Sequence, residues 1–257
     1  MAVRTESFTR IYDVESGEVL AEFENHSPDR GEICWSPDGS KLATSMPVRV
    51  IDWEAREVIA KGPECTGSAV AWRPGYDQVL YLSHDGITLW DVDAQETIRS
   101  FYGQAFIDSL CFSPDGKNIA SSGRDRTVRI WKVDTRAPIV ETRADGRNDS
   151  IDWDPSGRAL IGNSSRNFAN VWDMPNSQVI QRPFAPPDQL ETNRLWAIAV
   201  NQTDGRVAFG GSNSNVRVWD RRDDSVEVYE GAVGETCLLY TSPSPRDRTR
   251  SRMPSSA

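Results

Sequence analysis

The residues that decide the fold are Ser109-Leu110-Cys111-Phe112-Ser113-Pro114-Asp115-Gly116-Lys117-Asn118-Ile119-Ala120-Ser121, followed after a short polar turn by Thr127-Val128-Arg129-Ile130-Trp131. Apolar side chains at alternate positions over 109–112, 118–121 and 127–131 suit half-buried strands, and a helical period does not fit them. Between the first two runs lies Ser113-Pro114-Asp115-Gly116. Proline presets φ at the second position of a tight turn and glycine accepts the chain's exit, so this tetrapeptide reverses the chain. The unit therefore reads strand, tight turn, strand, polar turn, strand.

Working outward, the same unit recurs. Turns at Ser36-Pro37-Asp38-Gly39, Arg73-Pro74-Gly75, Asp154-Pro155-Ser156-Gly157 and Asn201-Gln202-Thr203-Asp204-Gly205 stand in the same place. Third strands close on an aromatic or aliphatic residue followed by Asp or a substitute: Tyr12-Asp13, Ile51-Asp52, Trp90-Asp91, Trp131-Lys132, Trp172-Asp173 and Trp219-Asp220, at separations of 39, 39, 41, 41 and 47 residues. A polar fourth strand, such as 225–229, completes each unit. A period near 40 residues built from four strands is the mark of a propeller.

The stretch from Phe112 to Trp131 resembles a blade of the WD-repeat (WD40) family nearly residue for residue, and the resemblance extends from Thr9 to about Glu235. It implies an all-β, WD40-type β-propeller of four-stranded antiparallel blades. The units are a half blade at 9–25, then blades at about 29–65, 66–105, 106–146, 147–192 and 193–231. The half blade starts at a third strand, with no first or second strand before it. Seven blades make the commonest ring in the family, so about five and a half imply an incomplete seven-bladed ring. In the family, a His near the start of a blade, a Ser or Thr on the second strand, an Asp before the third and the closing Trp share a hydrogen-bond network. The resemblance assigns these roles to Ser121, Asp125 and Trp131, with Gln104 where the His would stand, which leaves the network incomplete. Asp85 with Trp90 and Asn213 with Trp219 are further partial versions, and Arg166 replaces the acid before Trp172. The role expected of all of them is structural, since a buried indole N–H needs a partner.

The repeat stops near Thr236. Residues Cys237-Leu238-Leu239-Tyr240-Thr241-Ser242-Pro243-Ser244-Pro245-Arg246-Asp247 and onward to Ala257 resemble one reading frame of a sequencing-library adapter. Four arginines against Asp247 reverse the acidic balance of the rest of the chain. The expectation is a non-native, disordered tail over 237–257; a disordered Ser/Pro/Arg tail encoded by the gene has the same composition.

Composition narrows the function classes. At 257 residues and 38% hydrophobic content, the chain can bury one large core. A net charge of −9 argues against a nucleic-acid surface, which clusters Lys and Arg. No apolar run suits a membrane span and no leader segment is evident, so the expected location is cytoplasmic, with nuclear compatible. Cys34, Cys65, Cys111 and Cys237 stand apart from one another and from His26 and His84, so neither a metal site nor a disulfide framework is expected. They read as small buried hydrophobes. No cofactor motif, phosphate loop, nucleophile elbow or zinc-hydrolase motif occurs, and no small-molecule substrate or catalytic residue is assigned. Ser83-His84-Asp85 is the one tempting cluster, but neighbours on a strand end point in alternate directions and form no triad, so it reads as a polar turn.

A rigid ring with varied loops suits a non-catalytic scaffold. The resemblance implies that peptides or protein domains are bound on the face where the central channel opens. Aligning the first strands on Trp35, Trp72, Phe112, Trp153 and Val200 places Asp29, Thr66, Phe106, Arg147 and Arg194 at one equivalent position on that face, as candidate contacts. Phe106 suits a hot spot, and Arg147 with Arg194 could hold an acidic peptide or a phosphate group. The longest repeat interval contains Arg182-Pro183-Phe184-Ala185-Pro186-Pro187, a stiffened loop with Phe184 either as a recognition anchor or in a spacer packed on the ring. The alternative is a regulatory or sensing propeller of a larger signalling protein whose effector domain lies outside this sequence.

Overall fold

The computed structural model describes residues 1–4, 7–24, 31–84, 86–104, 106–144, 146–163, 168–174, 178–183, 195–211 and 216–229. The tail at 237–257 lies outside them. Five four-stranded antiparallel sheets follow a three-stranded one, each sheet built from strands adjacent in the chain. Blade 1 consists of β4 (Ile33–Trp35), β5 (Lys41–Thr44), β6 (Arg49–Asp52) and β7 (Glu57–Lys61). Blade 2 consists of β8 (Val70–Trp72), β9 (Gln78–Ser83), β10 (Gly86–Asp91) and β11 (Glu96–Phe101). Blade 3 consists of β12 (Ile107–Phe112), β13 (Asn118–Gly123), β14 (Thr127–Lys132) and β15 (Pro138–Arg143). Blade 4 consists of β16 (Ile151–Trp153), β17 (Ala159–Asn163), β18 (Phe168–Asp173) and β19 (Gln178–Pro183). Blade 5 consists of β20 (Leu195–Val200), β21 (Val207–Gly211), β22 (Val216–Asp220) and β23 (Ser225–Tyr229). The first strand of each blade packs on that of the next, β4 on β8, β8 on β12, β12 on β16 and β16 on β20. This is the architecture of a β-propeller.

Ahead of blade 1, β1 (Ala2–Arg4) pairs with β2 (Phe8–Tyr12), and β2 with β3 (Val19–Glu24). This corrects the sequence reading of a half blade without a preceding strand: Ala2 lies opposite Ile11 and fills the second-strand position. Three residues carry too little alternation to announce a strand.

The turn chemistry is realised as its residues dictate. In blade 3 the Gly116 N–H donates to the Ser113 carbonyl at 2.8 Å with Gly116 at φ +66°, and the Ser113 hydroxyl donates to Asp115 at 2.6 Å. The counterparts Gly39 and Gly157 close the same turn onto Ser36 and Asp154, each at 2.9 Å.

Burial lies mainly between blades. Leu80, Leu89 and Phe101 of blade 2 meet Phe112, Ile119 and Trp131 of blade 3, the rings of Phe101 and Trp131 standing 6.0 Å apart at 66°. Polar side chains on the first strands join several blades to the backbone of the next. Ser109 accepts the Ile151 N–H at 3.2 Å, Ser150 the Ile198 N–H at 3.3 Å, and Asp152 the Val200 N–H at 3.0 Å. The Cys34 thiol accepts the Trp72 N–H at 3.4 Å and Cys65 that of Met46 at 2.9 Å, so these cysteines act as weak acceptors in half-buried positions and not merely as hydrophobes. Blade 2 has Ala69 and Ala71 at the positions of Ser109 or Ser150 and of Asp152, and its joint to blade 3 is apolar. Burial pushes the Asp152 carboxyl up to about 7, although the N–H groups of Val200 and Trp153 oppose the shift. On the face of blade 5 turned away from blade 4, Val216 and Val218 are half-buried, whereas their counterparts Val128 and Ile130 in blade 3 are buried. No helix among the described residues is long and apolar enough to cross a membrane.

Candidate functional site

Blade 3 carries a polar chain that fixes its rim. The Trp131 indole N–H donates to the Ser121 hydroxyl at 2.8 Å, and that hydroxyl donates to the Gln104 amide oxygen. The Gln104 amide nitrogen donates to both the carbonyl and the hydroxyl of Thr127 at 3.1 Å. The Thr127 hydroxyl and N–H then donate to Asp125 at 2.8 and 3.0 Å. The network expected to be incomplete is therefore continuous. A primary amide offers an acceptor and donors on one planar group, as an imidazole does, and Thr127 spans the remaining gap to Asp125. Thr127 was invisible to the motif because no pattern position assigns it a role.

Among the described residues the other closing tryptophans show no such chain through a second-strand hydroxyl, and the strand register gives the reason. Ser121 stands two residues after the partner of Trp131 on its neighbouring strand; the same step leads to Tyr81 for Trp90, Gly162 for Trp172 and Phe209 for Trp219. None of these side chains supplies a small hydroxyl. Among the described residues the buried indole N–H groups of Trp90 and Trp172 find no acceptor, and Trp219 donates to Asp224 at 3.0 Å. Asp85, Arg166 and Asn213 lie outside the described residues.

The chain from Trp131 to Asp125 holds the turn between β13 and β14. Arg126 closes it, donating its N–H to the Gly123 carbonyl at 3.1 Å with φ +60°. Arg124 donates its N–H to the Phe106 carbonyl at 2.9 Å. A Cβ at Gly123 would stand 2.4 Å from that carbonyl oxygen, so only glycine permits the approach. Phe106 itself adopts φ +54° and leaves 74% of its surface exposed. A left-handed conformation costs a residue with a bulky side chain about 1–2 kcal/mol, and here the ring recovers little of it by burial.

The candidate contacts fare differently from one another. Arg147, on the approach to blade 4, donates from Nε and Nη2 to the two oxygens of Asp108, both at 3.1 Å, and stands 2.5 Å from Asp149. Asp108 is largely buried and also receives Arg124 at 3.3 Å. Arg147 thus has its charge met within the protein. Thr66 is exposed and uses its backbone N–H on the Leu82 carbonyl at 2.9 Å. Asp29, Phe184 and Arg194 lie outside the described residues. The structure brings Phe106, Asp108, Arg124 and Arg147 together, and sequence reasoning missed Asp108 and Arg124. The signal for Arg124 was its place in the turn after the second strand; for Asp108 there was none beyond its proximity to Phe106.

Comparison with known proteins agrees with this architecture. Residues 95–132, from the end of blade 2 through the third strand of blade 3, match the family model described as WD domain, G-beta repeat. The chain is 24% identical to a WD repeat-containing protein WDS homolog of Arabidopsis thaliana, over 92% of this chain and 47% of that protein. It is 31% identical to telomerase Cajal body protein 1 of Homo sapiens, over 63% of this chain and 34% of that one. It is 26% identical to a guanine nucleotide-binding protein subunit beta of Oryza sativa subsp. indica, over 52% and 37% respectively. The alignments span less than half the length of each of these relatives. Five four-stranded blades in sequential order, the turn between first and second strands, the closing tryptophans and these matches together identify the chain as a WD40-type β-propeller that carries a WD40 repeat at residues 95–132.

Proposed function

We propose that this propeller is a non-catalytic protein-interaction scaffold and that the rim of blade 3, centred on Phe106, is a principal contact. The observation that carries the reading is Phe106 itself: a large aromatic residue held in a left-handed conformation, by a glycine that must approach its carbonyl, with its ring in solvent. Strain without burial does nothing for the fold, and an exposed aromatic is what interfaces use as an anchor. Relatives described as repeat proteins and as a subunit of an assembly support an interaction role in general.

Asparagine tolerates left-handed φ far better than phenylalanine, so Phe106→Asn separates folding from binding. The variant is expected to match or exceed the parent's melting temperature. Panning a random peptide library against both proteins should enrich peptides that bind the parent and are lost, by tenfold or more in affinity, on the variant. Enriched peptides that bind both equally, or none enriched at all, would remove Phe106 from the function.

A further inference from the structure

Resting on that reading, we infer that the blade 3 rim takes an acidic peptide carrying an apolar side chain among its carboxylates. Backbone hydrogen bonds place the rim residues in one row. Phe106 is tied to Arg124 at 2.9 Å, the Arg126 carbonyl accepts the Ala144 N–H at 2.9 Å, and Arg143 lies opposite Thr127 in the strand pair. The exposed ring is therefore followed along the edge by Arg124, Arg126 and Arg143, all with exposed side chains.

Among the described residues, the acids of the rim are turned to internal work. Asp125 is occupied by Thr127, and Asp108 and Asp149 by Arg147, with Arg124 making one further contact to Asp108 at 3.3 Å. Among the described residues no carboxylate pairs with the side chains of Arg126 or Arg143; Asp145 lies outside them. A chain with a net charge of −9 thus offers cationic tips beside an aromatic ring at this edge. Blade 2 offers nothing similar, having Thr66 in the place of Phe106 and His84 in the place of Arg124. The feature is therefore not one that every blade shares.

Guanidinium groups bind carboxylates through charge-assisted hydrogen bonds, and the adjoining ring gives an apolar residue a surface to cover. A nucleic acid fits less well, because its affinity grows with the number of phosphates met and the rest of the protein repels them. An acidic peptide of a few residues needs only this short row.

The test uses the full chain and two labelled peptides: glutamates and aspartates flanking a central phenylalanine, and the same peptide with every acid replaced by lysine. The acidic peptide should bind, weaken as salt rises, and lose at least tenfold in affinity with Arg126→Ser and Arg143→Ser combined and again with Phe106→Asn, at a melting temperature no lower than the parent's. The lysine peptide should not bind. Equal binding of both peptides, or indifference to the arginine substitutions, would overturn the inference. So would stronger competition by a single-stranded oligonucleotide, or self-association of the chain abolished by Phe106→Asn. Library peptides that depend on Phe106 but are neutral or basic would reject this partner chemistry while leaving the scaffold reading intact.

Discussion

Blades 2 and 3 share one register and differ in how they treat polarity. In blade 3, Trp131 ends a chain of hydrogen bonds through Ser121, Gln104 and Thr127 to Asp125. In blade 2, Trp90 is equally buried, yet Tyr81 stands where the hydroxyl of Ser121 would be and the indole N–H has no acceptor among the described residues. Both blades nonetheless pack against each other in one apolar cluster. Burial of large side chains is therefore sufficient to form a blade, at about 25 cal/mol per Å² of apolar surface removed from water. The polar chain does something else in blade 3: it fixes the turn to which Phe106 is bonded.

That contrast can be broken at its tightest point. Gly123→Ala drives a methyl group against the Phe106 carbonyl, whereas blade 2 already carries Ser83 at the matching position. The expected loss is about 3 kcal/mol by chemical denaturation, the scale of overpacking against backbone. A loss near zero would mean that the rim yields and is not rigid. Ser121→Ala comes next, since it leaves the Trp131 N–H without its acceptor and Gln104 without a donor; about 2 kcal/mol is expected.

A finer measurement compares Trp131→Phe with Trp90→Phe. Both remove similar buried area, so the excess cost at Trp131, about 1 kcal/mol, isolates its hydrogen bond to Ser121, which has no counterpart at Trp90 among the described residues. Equal costs would reduce the network to ornament on a packed core. The smallest effect concerns the joints. Asp152 links blade 4 to blade 5 through Val200, while blade 2 has Ala71 at the matching position. Because burial raises the Asp152 carboxyl to about 7, the folded state holds its proton more tightly than the unfolded state does. Its contribution favours folding most below about pH 4, declines as pH rises towards 7 and is flat above that. Asp152 is partly exposed, so the change should amount to about threefold or less in the folding equilibrium. Asp152→Asn should flatten that part of the stability profile measured between pH 4 and pH 8, and an unchanged slope would refute the assignment.

Much of the fold was legible along the chain because it is written in short-range chemistry. Gly, preceded by Pro in four of the five turns, set the turns, alternation set the strands, and a recurring aromatic or aliphatic residue closed each unit. Where those signals were too short, the reading failed: Ala2–Arg4 forms a strand that only pairing with β2 reveals. The candidate site was legible in part. Alignment placed Phe106, Thr66 and Arg147 at one position in their own blades and the aromatic side chain marked Phe106 as the hot spot, but that Arg147 is held by Asp108 was not legible.

The sequence by itself determined the repeat, its period, its turns and the apolar content of each strand, since each depends on residues a few positions apart. Tertiary structure decided which polar groups were already taken. Arg147 looked like a free cation until folding set it against Asp108, 39 residues earlier, and Gln104 looked like a defect until Thr127 and Ser121 closed around it. Such pairings come from blades and strands packing side by side, where distance along the chain no longer measures distance in space. They left Phe106, Arg126 and Arg143 facing outward on the rim of blade 3.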